Sequence, residues 1–191
     1  MSFDLYLASS SPRRRELLTQ IGVQYRIVDI DVAEIPGTNE GPENFARRVA
    51  MDKARAGWAS LDARARKPVL GADTVVVIDG EIFGKPRDRE HALAMLARLS
   101  GRTHEVMTAV ALMDGEMHTG LSCSRVSLAE MSREEQVGYW ETGEPLDKAG
   151  AYAIQGLAAR FIRHLSGSYS GVMGLPLYET AQLLKEANIV L

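Results

Sequence analysis

One ten-residue segment constrains the fold of this chain more than any other. Residues 69–78 have the sequence VLGADTVVVI, rich in β-branched residues, which predicts a buried β-strand. The pair Asp79-Gly80 follows immediately and is a hairpin turn signal, with residues 81–84 as the returning strand. Other segments of the chain alternate between strand and helix patterns. This combination of hairpins and alternating elements predicts a mixed sheet rather than a purely parallel one.

The other predicted elements cover most of the chain. Strand patterns occur in residues 3–8, 25–30, 105–113, 117–128 and 160–165. Helices are predicted from Ser11 to Gly22, over 42–61, after the cap Asp88, from Ser132 to about Trp140, and over 176–187. Each of these helix starts carries a capping residue or a proline that suits the first turn. Residues 143–156 and 166–174 are predicted to be loops.

Length and composition exclude several classes of protein. A chain of 191 residues with 46% hydrophobic and 25% charged residues predicts one globular domain over residues 1–191. Its net charge of −3 is not typical of a general nucleic-acid or membrane-surface binder, so an anion site needs a local cluster of basic residues.

The location of the protein is inferred from its cysteine count and its N-terminus. The single cysteine, Cys123, excludes an internal disulfide, and we expect it to pack inside its strand. The N-terminus has no signal-peptide pattern, and no segment approaches the roughly 18 apolar residues of a membrane span. We therefore expect a cytoplasmic protein that does not contact a membrane.

A serine-rich turn and three arginines follow the first predicted strand, in the segment Ala8–Arg15. The N-terminus of a helix favours acidic side chains, so arginines there are unfavourable for the stability of the helix. Departures of this kind are common at functional sites. Free helix N–H groups, the serine hydroxyls and the guanidinium groups together suit a phosphate. The alternative is a solvated basic first turn that pairs with Glu16.

An acidic residue, Asp73, interrupts the apolar strand 69–78. A buried carboxylate is costly unless it is paired, hydrogen-bonded or bound to a metal ion. Beside Gly71 it could face a cleft and hold a divalent cation or accept a proton from water. It could equally bond to nearby backbone N–H groups, and the residues alone leave both alternatives open.

Two lysines and one glutamine are weaker candidates. Lys85 lies between Gly84 and Pro86, and Lys53 flanks the apolar stripe of the long helix. For both lysines the spacing alone favours a solvated side chain over a ligand contact. Gln155 lies among small residues in the predicted loop 143–156, where its amide could bond to the edge of a nucleobase.

Several known site types are absent from the sequence. The segment around Lys85 is not a Walker motif, the glycines at 167–174 do not fit a dinucleotide fingerprint, and no G-x-S-x-G elbow is present. The four histidines show no zinc-ligand spacing. The acidic loop with Asp29, Asp31 and Glu34 remains the best extra source of oxygen ligands for Mg²⁺ or Mn²⁺, or else is a solvated loop.

Taken together, these segments resemble the Maf family of nucleoside triphosphate pyrophosphatases. The resemblance extends from Leu7 to Thr180 and lies in the motifs LASSSPRRRELL, MDKARA, LGADTVV, GKP, LSGRTHEVMTAVAL, EPLDKAGAYAIQG and GSYSGVMGLPLYET. It implies a mixed α/β fold with a curved central sheet, flanking helices, two lobes and a deep cleft, like that of inosine triphosphate pyrophosphatase. It also implies hydrolysis of a nucleoside triphosphate to the monophosphate and pyrophosphate with Mg²⁺ or Mn²⁺.

The resemblance also assigns roles to the candidate residues. It implies that Asp73 is the catalytic base or organises the metal ion, and that Glu34 is a metal ligand or orients water. It places five residues around the triphosphate, namely Ser9, Arg13, Arg14, Lys53 and Lys85. The combination of Arg13, Thr74 and Gln155 resembles the branch that prefers dTTP and UTP, along with some modified pyrimidine nucleotides.

Other functions remain open alternatives at this point. A 7-methyl-GTP pyrophosphatase would keep the chemistry, whereas a triphosphatase would release single phosphates. The family is also associated with inhibition of septum formation, so a nucleic-acid- or protein-binding regulator that uses Arg13–Arg15 is a further alternative. The net acidity argues against stable nucleic-acid binding. A symmetric homodimer is the expected assembly.

Overall fold

A computed structural model of the protein describes residues 3–64 and 66–189. Its strands are β1 (Leu5–Ala8), β2 (Tyr25–Ile27), β3 (Val69–Ile78), β4 (Glu81–Phe83), β5 (Thr103–Met113), β6 (Met117–Leu128) and β7 (Ile162–Ser166). Its α-helices are α1 (Pro12–Gln20), α2 (Pro42–Ser60), α3 (Arg89–Leu99), α4 (Arg133–Glu141), α5 (Tyr169–Met173) and α6 (Leu177–Glu186). Short 3₁₀ turns occupy Ala149–Ala151 and Leu157–Phe161.

The strands form one mixed sheet in the order β2-β1-β3-β5-β6-β7, with β4 also paired to β3. The pairs β1–β2 and β1–β3 are parallel, and the others are antiparallel. The mixed sheet predicted from the sequence is therefore confirmed.

The edge of β3 opposite β5 is interrupted. On this edge β1 pairs with residues 69–71 and β4 pairs with residues 76–78. Residues 72–75 lie between these two ladders and have no strand partner there in the described chain. Because side chains alternate along a strand, Asp73 and Thr74 leave this gap toward opposite faces of the sheet.

The apolar core is divided around this gap. One cluster packs α1 and α6 against β1 and the first part of β3, through residues such as Leu7, Leu18 and Leu184. Another packs α3 and α4 against the last part of β3, through residues such as Leu96 and Tyr139. The two clusters therefore pack against opposite ends of β3.

Helix α2 packs unusually closely against the face of the sheet opposite to these two clusters. A Cβ on Gly71 would overlap the carbonyl oxygen of Ala50 and lie 2.8 Å from the backbone nitrogen of Ala54. A Cβ on Gly57 would lie 2.8 Å from a methyl group of Val69. The absence of side chains at both glycines therefore lets α2 lie directly on β3.

Most predicted elements agree with the structure, but two of them and the burial of one residue do not. The bounds of β3 and β6 are those predicted, and Ser132 and Glu135 form the expected capping box. The predicted strand 25–30 ends at Ile27, since Val28 makes the last bond to β1 and residues 28–32 then enter the cleft wall. The loop predicted at 166–174 contains α5, capped by the hydroxyl of Ser168. The prediction that Cys123 packs in the core is wrong: its side chain is exposed on β6.

Candidate active site

The cleft has a volume of about 1120 Å³ and is lined by the candidate catalytic and binding residues that were predicted from the sequence. Its lining comes from the β1–α1 turn, the loop that follows β2, the gap in β3, the turn after β4 and the segment 144–156, together with residues of α2, β5 and α5. Every residue that the sequence singled out for the site lies in its wall, namely Ser9, Arg13, Arg14, Glu34, Lys53, Asp73, Thr74, Lys85 and Gln155.

A buried lysine joins the two predicted acids. The Lys53 ammonium lies 2.9 Å from Oδ1 of Asp73 and 2.6 Å from Oε1 of Glu34. Its relative exposure is only 5%, so the solvated position favoured by its spacing is wrong. The close approach of α2 to β3 at Gly71 is what brings Lys53 over the neighbouring Asp73.

The environments of the two carboxyl groups push their pKa values apart. Burial raises the pKa of Asp73 above its ordinary value, and the positive charges of Lys53 and Arg14 offset only part of this rise. Burial acts on Glu34 too, but the hydrogen bond from Lys53 and the charges of Lys53 and Lys85 outweigh it and lower the pKa of Glu34. Such divergence between neighbouring carboxyl groups is typical of acid–base sites.

Arg14 is hydrogen-bonded to three residues that line or border the cleft. Its Nε donates to the carbonyl of Gly174 at 2.7 Å, Nη1 to Oγ of Ser9 at 3.1 Å, and Nη2 to Oγ1 of Thr74 at 3.3 Å. The Thr108 hydroxyl donates to the carbonyl of Gly171 at 2.7 Å and lies 2.9 Å from the same Thr74 oxygen. Arg14 is therefore buried and ties three separate segments together, which the spacing of the arginine run did not indicate.

The remaining cations lie at the rim. Arg13 donates from Nε to the carbonyl of Met173 at 3.2 Å, and burial lowers its pKa. Lys85 and Gln155 are exposed to the cleft from the turn after β4 and from the segment 144–156. Lys148, which the sequence did not single out, also lines the cleft, and burial together with the charge of Arg13 lowers its pKa.

The charges of the lining do not by themselves neutralise a polyanion. Acidic side chains outnumber basic ones there: the acids are Glu16, Asp29, Asp31, Glu34, Asp73, Glu144 and Asp147, and the bases are Arg13, Arg14, Lys53, Lys85 and Lys148. A bound triphosphate would therefore need additional positive charge.

The residues present fit a divalent cation that is shared with phosphate oxygens. Among residues 3–64 and 66–189, no group of three or more His, Cys, Asp or Glu side chains could hold a metal ion. Glu34 and Asp73 each use one oxygen on Lys53, which leaves Oε2 and Oδ2 for other contacts. Magnesium is commonly held by one or two carboxylates together with substrate phosphates, and this donor set is of that kind.

Comparison with known proteins places the chain in a family. The family model described as Maf-like protein matches residues 4–187. This chain belongs to the Maf-like protein family. The match includes the β1–α1 turn, the gap in β3 and the segment 144–156, so the whole cleft lies within the Maf-like region.

Maf-like relatives cover nearly the whole chain. A dTTP/UTP pyrophosphatase of Alkalilimnicola ehrlichii is 60% identical over 188 residues, which is 97% of this chain and 93% of that protein. A dTTP/UTP pyrophosphatase of Methylococcus capsulatus is 53% identical over 97% of this chain and 91% of that protein.

More distant likenesses occur among solved structures. The Staphylococcus aureus Ham1 protein has 15% identity and a TM-score of 0.49, over 97% of this chain and 99% of that chain. A nucleoside-triphosphatase/dITP/XTP pyrophosphatase of Mycobacterium abscessus has 19% identity and a TM-score of 0.40, over 67% and 74% of the two chains. Within the described residues of this Maf-like protein, no helix is long and apolar enough to cross a membrane.

Proposed function

We propose that this Maf-like protein hydrolyses nucleoside triphosphates, with dTTP and UTP as preferred substrates, to the monophosphate and pyrophosphate. The observation that carries the proposal is a buried Asp73, held by Lys53 in a cleft that also presents arginine and lysine side chains. The names of the two relatives with 53% and 60% identity support the same substrates.

Asp73 is the proton acceptor in this proposal. Its raised pKa makes it a stronger base than an exposed aspartate, and Lys53 fixes one oxygen so that the other faces the cleft. A water molecule beside that oxygen would lose its proton to Asp73 as it attacks the α-phosphorus in line, with pyrophosphate leaving on the opposite side.

Cations around the triphosphate stabilise the charge that develops. Lys85 and Lys148 line the cleft as donors to the phosphate chain, and Lys53 lies beside the point of attack. Mg²⁺ or Mn²⁺ held by Glu34 and the triphosphate would supply the positive charge that the lining lacks. Ser9 stays oriented by its hydrogen bond from Arg14.

The pyrimidine preference is assigned to Arg13, Thr74 and Gln155. The Gln155 amide can donate to a ring carbonyl and accept from the imino N–H of uracil or thymine, whereas cytosine presents the reverse pattern at N3 and its 4-substituent. Thr74 lies at the gap in β3, where Arg14 and Thr108 hold its hydroxyl. Arg13 lies at the start of α1 and, like Thr74, lines the cleft.

The regulator alternative is less well supported. Arg13, Arg14 and Arg15 donate to the carbonyls of Met173, Gly174 and Ser10 of their own chain. They therefore do not form the open basic patch that a nucleic-acid-binding surface would use.

A product-resolved screen tests the proposed function. The protein is incubated with Mg²⁺ or Mn²⁺ and with dTTP, UTP, CTP, dATP, GTP, 7-methyl-GTP or ITP, and a parallel series contains excess EDTA. We expect monophosphate and pyrophosphate, mainly from dTTP and UTP, and no turnover in EDTA. A preference for 7-methyl-GTP would overturn the base assignment, and release of single phosphates would overturn the reaction.

A further inference from the structure

The segment that carries Gln155 is tied to the core at both ends. Ala153 and Ala158 are buried, whereas Gln155 between them is exposed to the cleft. Residues 153–158 include neither an α-helix nor a strand, and only their end enters the 3₁₀ turn Leu157–Phe161. Its conformation therefore depends on contacts from elsewhere in the chain.

Tyr139 of α4 makes the first tie. Its side chain is completely buried, and its hydroxyl accepts a hydrogen bond from the backbone N–H of Ala153 at 3.1 Å. The same hydroxyl donates to Oε1 of Glu144 at 2.6 Å. Burial and the adjacent carboxylate raise the pKa of Tyr139, so the hydroxyl remains a donor to Glu144 at neutral pH.

Glu144 makes the second tie. Its Oε2 accepts from the backbone N–H of Leu157 at 2.8 Å, and its Oε1 accepts from that of Ala158 at 3.2 Å. A Cβ on Gly156 would overlap this carboxylate, so the close approach requires a glycine beside Gln155. One carboxylate thus satisfies the donors that open the 3₁₀ turn.

These contacts surround Gln155 from both sides. The Tyr139 hydroxyl and the Glu144 carboxylate are joined to each other, and together they bond to Ala153, Leu157 and Ala158. Loss of the Tyr139 hydroxyl would leave the buried N–H of Ala153 without its partner, and loss of the Glu144 carboxylate would remove the bonds to Leu157 and Ala158, so either loss would free the segment to move. A displacement of about 1 Å at such a segment is enough to misalign a hydrogen bond to a ligand.

We propose that Tyr139 and Glu144 are positioning residues that fix Gln155 for recognition of the uracil or thymine edge. The inference rests on the proposed function, because it assigns these residues to base selection by that same site. Neither residue was singled out by the sequence analysis.

The test is the ratio of kcat/KM for UTP to that for CTP. These substrates share the ribose and the triphosphate and differ only at the base edge. We expect Gln155→Ala to lower the ratio about threefold to tenfold, as the loss of a ligand hydrogen bond would. Tyr139→Phe and Glu144→Ala should lower it similarly through a higher KM for UTP, with kcat changed less.

Two controls separate positioning from simple destabilisation. Ser100→Ala removes another hydroxyl that accepts a hydrogen bond from a backbone N–H, that of Met131, outside the cleft, and should keep the wild-type ratio. The double variant Tyr139→Phe/Gln155→Ala should have the same UTP-to-CTP ratio as Gln155→Ala alone, because both changes act on the hydrogen bonding of Gln155 to the base. Amide hydrogen exchange should show lost protection at Ala153, Leu157 and Ala158 in the Tyr139 variant.

The outcomes distinguish this inference from the proposed function. If the wild type hydrolyses no nucleoside triphosphate, the proposed function fails, and the UTP-to-CTP ratio of binding constants then tests the positioning residues. If the wild type selects UTP but Tyr139→Phe and Glu144→Ala retain its ratio, the inference is overturned. It is equally overturned if Gln155→Ala leaves the ratio unchanged or if the two changes lower it additively.

Discussion

At the scale of single residues, the buried Lys53 sets the properties of both acids in the site. Its ammonium bonds to Asp73 and Glu34 and also lies 3.4 Å from the carbonyl of Ala72. Burial raises the pKa of Asp73, and the Lys53 charge is the largest influence in the opposite direction. The lysine therefore limits how far the base is shifted.

The replacement Lys53→Met should raise the pKa of Asp73 further. With a native pKa above the unfolded one, the native state binds this proton more tightly, so the free energy of unfolding falls as pH rises through the native pKa. The variant should extend this fall to higher pH, and a carbon-13 NMR titration of the Asp73 carboxyl should show the shift directly.

The matched control is Lys85→Met, which removes an exposed cation from the same cleft. Lys85 is not among the charges that act on Asp73, so its removal should leave that titration where it was. An unchanged Asp73 midpoint in Lys53→Met would show that the lysine does not control the base.

At the scale of elements, the contact between α2 and β3 determines whether Lys53 reaches Asp73. Gly71 allows this contact, because a side chain there would overlap the α2 backbone at Ala50. The helix cannot move away without carrying Lys53 from the carboxylate that lies two residues beyond Gly71 on β3.

The replacement Gly71→Ala should therefore destabilise the protein by about 1–3 kcal/mol through overpacking and should lower kcat as well. The control is Gly138→Ala on the exposed face of α4, where a Cβ meets nothing within 4 Å. That change should stabilise by about 0.5–1 kcal/mol, because alanine favours helix. Chemical denaturation measures both, and equal stability of the two variants would contradict the described packing.

The element scale also shows what local patterns can predict. Residues 69–78 and the capping box at Ser132 are determined by neighbours in sequence, and their bounds were predictable. The position of Lys53 was not, because its spacing on α2 is that of a solvated side chain and only the distant Gly71 and Asp73 bury it. Helix α5 was missed because its five residues include a glycine and follow a Gly/Ser stretch.

At the scale of the whole molecule, the site forms where one edge of β3 is left unpaired. Strands β1 and β4 pair with the two ends of β3 and leave residues 72–75 open, so the loops that follow them meet there. The motifs and the family resemblance predicted the candidate residues of the cleft but not the Tyr139–Glu144 pair, because no local pattern indicates that α4 bonds to the loop directly following it, at Glu144 and Ala153. The homodimer and the cytoplasmic location stay predictions.

Hydrolysis of UTP in ¹⁸O-labelled water tests the central claim most directly, since it reports which phosphorus atom is attacked. With Mg²⁺ present, we expect one labelled oxygen in UMP and none in pyrophosphate, and we expect Asp73→Asn to lose nearly all turnover while it remains folded. Label in pyrophosphate or in free phosphate, or near-normal turnover by the folded Asp73→Asn variant, would contradict attack at the α-phosphorus with Asp73 as the base.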